Sequence, residues 1–97
     1  YNLMVGRDLQ RGAGHEPQVC LTMPILRGTD GKMKMGKSVG NYVALSEPAY
    51  EQLGKTMSIP DDLMREWYTL LTDRTPAEID AVLAGKPNEA KKALGAE

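Results

Sequence analysis

The chain has 97 residues, 41% of them apolar and 26% charged, with a formal net charge of −1. That length holds one small domain or a piece of a larger one, and a balance so near neutrality excludes a global field able to hold nucleic acid or an anionic membrane. The single cysteine, Cys20, excludes an intrachain disulfide and a cysteine-based zinc cage and fits a reducing compartment; no apolar run approaches the ~20 residues of a membrane span, and no signal sequence is visible.

In chain order, Asn2 to about Arg11 carries Leu3, Met4, Val5 and Leu9 near a helical spacing and predicts a helix, broken by Gly12-Ala13-Gly14. Nothing ahead of it could cap a helix, no initiator Met is present, and Lys91-Lys92-Ala93-Leu94 is still in helical composition near the other end. Both ends read as cut, which predicts a fragment of a longer protein. Gln18-Val19-Cys20-Leu21-Thr22-Met23 is apolar on both faces, as a parallel strand covered by helices should be, and is stopped by Pro24. Cys20 is expected to be buried in it, with no basic neighbour to make it reactive. Arg27-Gly28-Thr29-Asp30-Gly31 has turn chemistry; a lysine-bearing loop follows, and Val39 to Leu45 favours no element.

The second half predicts short helices. Ser46 is the expected N-cap of one running to about Met57, with Pro48 in its first turn. Pro60-Asp61-Asp62 starts another, with acids at the positive helix end, and Leu63, Met64, Trp67, Leu70 and Leu71 form its apolar stripe. On that spacing Trp67 is a core residue, not a base-stacking platform. Thr75-Pro76-Ala77-Glu78 is a capping box that opens a helix through Ile79, Val82 and Leu83, ended by Gly85. Pro87 begins the last helix, where Lys91 and Lys92, like Lys86 before it, are expected on a solvated face. The predicted class is therefore α/β, with an α/β end over residues 1–45 and a helical part over residues 46–97.

From Arg27 to Ser38, four cations stand against the single acid Asp30, a local charge of +3 in an otherwise neutral chain. Gly31-Lys32-Met33-Lys34-Met35-Gly36-Lys37-Ser38 satisfies the P-loop pattern G-x-x-x-x-G-K-[ST] at every fixed position. A P-loop, however, needs a strand ending at its first glycine and a helix starting at its Lys-Ser pair. Pro24 and a turn intervene on one side, and Gly40-Asn41 on the other. The other reading is a mobile loop that brings lysine ammonium groups to ATP, lysine being a compact charge on a long stem; Gly28, Gly31, Gly36 and Gly40 would supply its hinge freedom. A solvated basic turn is the bland alternative, and the second half alone reads equally as a non-enzymatic helical interaction module.

Lys34-Met35-Gly36-Lys37-Ser38 resembles the Lys-Met-Ser-Lys-Ser signature of class I aminoacyl-tRNA synthetases. The flanks, from Gly6-Arg7-Asp8-Leu9-Gln10-Arg11 through Pro17 to Tyr42, then Ser58-Ile59-Pro60-Asp61 and Leu70-Leu71-Thr72-Asp73, resemble the bacterial-type tyrosyl branch of that class. The resemblance implies activation of tyrosine with ATP, carried with Mg²⁺ as substrate, to tyrosyl-adenylate, and transfer of tyrosine to its tRNA. It implies a Rossmann-like parallel-sheet catalytic domain whose last strand is Gln18 to Met23, followed by the first helices of an anticodon-side helical domain. Lys37 would be the ATP-contacting lysine, Lys34 its assistant, Ser38 a phosphate or loop-ordering hydrogen bond, and Met35 and Gly36 the rest of the ATP-binding segment. Met23 would lie beside the adenine, a plain core methionine being the alternative. A cytoplasmic homodimer joined through regions outside this chain is also implied. Gly36 departs from the signature's serine, which predicts weaker ordering of the loop without loss of function. The family's histidine-containing ATP motif and tyrosine pocket are absent, so these residues alone are expected to be inactive. His15 reads as an exposed loop residue. Without partner strands, Val19, Leu21 and Met23 would leave an unpaired edge, which predicts instability or association of the isolated chain.

Overall fold

The computed structural model describes all 97 residues, and its regular elements are helices. Helix α1, Asn2–Gly12, closes where the Ala13 N–H reaches the Leu9 and Gln10 carbonyls. Gly14 then adopts φ +79°, a left-handed conformation open to glycine, and the chain doubles back beside exposed His15. The Gln10 carboxamide oxygen accepts the Gln18 N–H at 2.9 Å and fixes that reversal. No α1 residue is buried, and Leu3, Met4 and Leu9 are exposed.

The expected strand does not form. Gln18 to Met23 lies outside any helix or ladder, and Val19 (88% exposed) and Leu21 (84%) face solvent instead of a core. Cys20, expected inside, is only half-buried. A strand is completed by a neighbour that takes its N–H and C=O groups, and this chain supplies none; the parallel sheet is not made by these residues. Its consequence is an elongated molecule, 55 Å in its longest dimension with a radius of gyration of 17.3 Å, against about 12–13 Å for a compact domain of this length.

The helical half packs. Helix α2, Ala49–Met57, starts later than expected: Pro48 is its N-cap, and Ser46 caps nothing. The turn before it is held instead by Glu47, whose carboxylate accepts the Ala44 N–H and pairs with Lys55. A 3-10 turn, Asp61–Leu63, leads into α3, Met64–Leu71. The buried stripe is Leu63, Met64, Trp67 and Tyr68, while Leu71 is exposed, so the inward face is turned toward Tyr68 relative to the expected one. Tyr68 has no exposed surface, and its hydroxyl donates to the Ala90 carbonyl at 2.6 Å. Burial pushes that phenol above its ordinary pKa.

The capping box forms as its sequence dictates: Thr75 Oγ1 accepts the Glu78 N–H, and the Glu78 carboxylate accepts the Thr75 N–H. It opens α4, Pro76–Leu83, and α5 follows at Pro87–Ala96. Helix α5 crosses α2 so closely that a Cβ on Gly95 would stand 2.4 Å from Leu53 Cδ1. Lys91 is not solvated as expected; it is buried and pairs with Asp61 at 2.8 Å. Ile59, Leu63, Met64, Trp67, Tyr68, Ile79, Ala90 and Leu94 make one core, and Leu26, Met35 and Val43 pack on it from the lysine-loop side.

Candidate functional site

The segment from Leu26 to Asn41 folds back on itself and stands on α3. Asp-Gly chemistry makes the first reversal: Gly31, at φ +66°, donates its N–H to the Gly28 carbonyl, and the Asp30 carboxylate accepts the Lys32 and Met33 N–H groups at 3.1 and 3.3 Å. The two arms then meet through Gly28 N–H to Met33 O at 2.9 Å and Met35 N–H to Leu26 O at 3.1 Å, with a single antiparallel bridge between Arg27 and Lys34. The Lys32 N–H, then the Asn41 amide and the Met33 N–H, hold the Asp30 carboxyl below its ordinary pKa against partial desolvation.

Asn41 closes the loop. It is 4% exposed, and all of its side-chain hydrogen bonds go to residues of the loop. Nδ2 donates to Asp30 Oδ1, Met33 O and Lys34 O, each at 3.2 Å, and Oδ1 accepts the Gly36 N–H at 2.9 Å. Its own carbonyl accepts the Thr29 N–H at 2.9 Å. Gly28 lies against it so tightly that a Cβ there would be 2.2 Å from Asn41 Nδ2. Gly28 thus serves close approach and not hinge freedom, unlike the expectation for it.

The base is tied to the helices through Arg27. Its carbonyl accepts the Trp67 indole N–H at 3.0 Å, its Nε sits 3.1 Å from the Glu66 carboxylate, and its Nη1 donates to the Gly31 carbonyl. One of the four cations counted in the sequence is therefore consumed in holding the loop. Lys32, Lys34 and Lys37 are all exposed, and none is paired with a carboxylate. Met35 turns inward onto the core and helps line a cavity of about 320 Å³ with Leu26, Val43, Trp67 and Leu94. Beyond it, Lys37 and Ser38 occupy an exposed turn, in which Gly36 O accepts the Val39 and Gly40 N–H groups and Gly40 takes φ +75°. Gly36 has no neighbouring atom within 4 Å of a built Cβ and no positive φ, so nothing in its surroundings requires glycine.

The structure thus brings Lys34, Met35, Gly36, Lys37 and Ser38 onto one reversed loop. Met23 is not with them: it is exposed in the extended segment and joins neither the loop's hydrogen bonds nor the core. The P-loop geometry is absent as well. No strand ends at Gly31, which instead abuts the Pro60 ring, and residues 37–40 form a turn where that motif requires a helix.

The whole chain, residues 1–97, matches the family model described as tRNA synthetases class I (W and Y). The chain belongs to that family. Among curated relatives it is similar to a protein named tyrosine–tRNA ligase from Geobacter sulfurreducens, 52% identical over all of this chain and 26% of the relative. It is 52% identical to one of the same name from Aquifex aeolicus over 97% of this chain and 24% of the relative, and 56% identical to another from Thermotoga maritima over 75% of this chain and 18% of the relative. The class I synthetase segment here spans about a quarter of the length of the relatives it matches.

In this class I synthetase segment the residues that shape the loop, Asn41, Asp30, Gly28 and the Arg27–Glu66–Trp67 tie, were not among the expected site residues. Asp30-Gly31 was legible as a turn, and an asparagine following a glycine is a residue able to bond locally. What the sequence did not carry is the return of Asn41 to Asp30, eleven positions away.

Proposed function

We propose that this chain is the signature-loop segment of a tyrosine–tRNA ligase, an enzyme that activates tyrosine with ATP and passes it to its tRNA. Three exposed lysines without carboxylate partners, carried on a loop whose base is locked to a helical core, support the reading. In the activation step the tyrosine carboxylate oxygen bonds to the α-phosphorus of ATP, and the bond from that phosphorus to the pyrophosphate oxygen breaks. Negative charge grows on the departing pyrophosphate, and Lys37, assisted by Lys34, meets it with ammonium donors. Ser38, beside Lys37 in the same exposed turn, adds a hydroxyl, and Mg²⁺ arrives bound to ATP as part of the substrate.

Residues 1–45 close the catalytic portion and residues 46–97 begin the anticodon-side helices. The extended segment from Gln18 to Met23 would complete the parallel sheet when the remaining three quarters of such an enzyme supply neighbours for it, with Met23 toward the adenine. Homodimerisation through segments outside these residues and a cytoplasmic location belong to the same reading; no helix here is long and apolar enough to cross a membrane. A preorganised donor to developing charge is worth roughly 3–4 kcal/mol. In an enzyme of the relatives' full length carrying these residues, Lys37→Ala is expected to slow tyrosine-dependent ATP–pyrophosphate exchange more than tenfold. Undiminished exchange removes Lys37 from the chemistry.

A further inference from the structure

Asn41 stands apart from the residues so far given a chemical role: it is buried, it bears no charge, and its carboxamide is almost wholly occupied inside the loop. An asparagine side chain offers two N–H donors and one carbonyl acceptor. Here the two Nδ2 N–H groups are shared among three acceptors at 3.2 Å, the carboxylate of Asp30 and the carbonyls of Met33 and Lys34, while Oδ1 takes the N–H of Gly36. The residues gripped at 34 and 36 bracket Met35, and 36 directly precedes Lys37. The grip therefore fixes the backbone on which Lys34 stands and the point from which the exposed turn with Lys37 springs. Without it the carbonyls of Met33 and Lys34 lose their side-chain donor, and the Gly36 N–H loses its acceptor. The arm-to-arm backbone bonds, the Asp30 bonds to the Lys32 and Met33 N–H groups and the turn bonds on Gly36 O would remain, and none of them accepts the Gly36 N–H.

We propose that Asn41 is a positioning residue for Lys34 and Lys37: its carboxamide presets the lysine backbone so that both ammonium groups reach the phosphates without reordering the loop. The role rests on the ligase reading and acts only through the lysines. Its carboxamide is engaged by the loop's own backbone and Asp30, not held out toward a ligand. Effects of residues that work as one unit are non-additive, so its contribution must vanish when the lysines are gone.

The test uses the full-length enzyme. Asn41→Ala is expected to lower kcat of tyrosine-dependent pyrophosphate exchange at least tenfold, with the KM values for ATP and tyrosine moved less than threefold. Added to Lys34→Ala/Lys37→Ala, the same change should alter the residual rate less than twofold. A loss that is equally large without the lysines, or a kcat within twofold of the parent in their presence, overturns the proposal. Where Asn41→Ala does not fold, hydrogen exchange on the unsubstituted enzyme decides: slow exchange at Gly36 supports the grip, and exchange there at the rate of an open loop overturns it. Failure of the ligase reading is separately visible, since the unsubstituted enzyme would then show no tyrosine-dependent exchange at all, and the positioning role would fall with it.

Discussion

Gly28→Ala is the sharpest perturbation of the loop, because it adds one methyl group where the structure leaves no room. A Cβ at residue 28 would lie 2.2 Å from Asn41 Nδ2, 2.3 Å from its Cγ and 2.5 Å from its carbonyl oxygen. Swinging the Asn41 side chain away would give up its loop hydrogen bonds and still leave the contact with the Asn41 backbone carbonyl, so the backbone itself must shift, at the roughly 1–3 kcal/mol typical of an overpacked site. A cost of about 2 kcal/mol is about a 30-fold rise in loop opening at 1.4 kcal/mol per decade. Hydrogen exchange read by mass spectrometry on peptides spanning Gly28 to Asn41 measures it. Those amides should exchange about 30-fold faster, while peptides from α3 to α5 stay unchanged. Gly6→Ala is the control: a Cβ there meets nothing within 4 Å and should favour α1 by about 1 kcal/mol without touching the loop. Exchange in Gly28→Ala within threefold of the parent would refute the brace as drawn.

Two further outcomes follow from the same geometry. Gly36→Ser restores the family's usual residue at a position with free space and ordinary φ; the lower freedom of its unfolded chain should steady the loop by about 0.5–1 kcal/mol, seen as slower exchange at residues 35–40 with the pyrophosphate-exchange rate kept or raised. Asp30 has a lowered pKa in the fold, so its contribution is present above the unfolded value and is lost as pH falls through the lower folded one. Protection of the Lys32 and Met33 amides, corrected for intrinsic exchange, should therefore persist at pH 4 and fade only below it. Loss already at pH 5 would contradict the assignment of the carboxylate as their acceptor.

How much of this was legible in sequence divides at the point where contacts become non-local. The capping box at Thr75 and Glu78 spans three residues, and Trp67 is one of several apolar residues at helical spacing, so both are readable from local order. The inward turn of α3 toward Tyr68 was not, because a phenol is buried there only by finding the Ala90 carbonyl of another helix. Gln18 to Met23 has a strand's composition, yet pairing, not composition, makes a strand. Ser46 was a plausible cap displaced by Pro48, whose extended backbone stands at the helix boundary instead. At the loop, the lysines were legible from charge and signature. Gly28 was read as freedom and turned out to be contact, since its neighbour Asn41 arrives from thirteen residues along the chain.

In the proposed ligase, Lys34 and Lys37 meet the phosphates of ATP from a braced loop. Acylation footprinting tests it without any substitution, by reading the labelling of each lysine in the full-length enzyme with and without ATP and tyrosine together. Lys34 and Lys37 are expected to become protected, while exposed Lys86 and Lys92 on the helical half label as before. Equal labelling of Lys34 and Lys37 in the two conditions would contradict it.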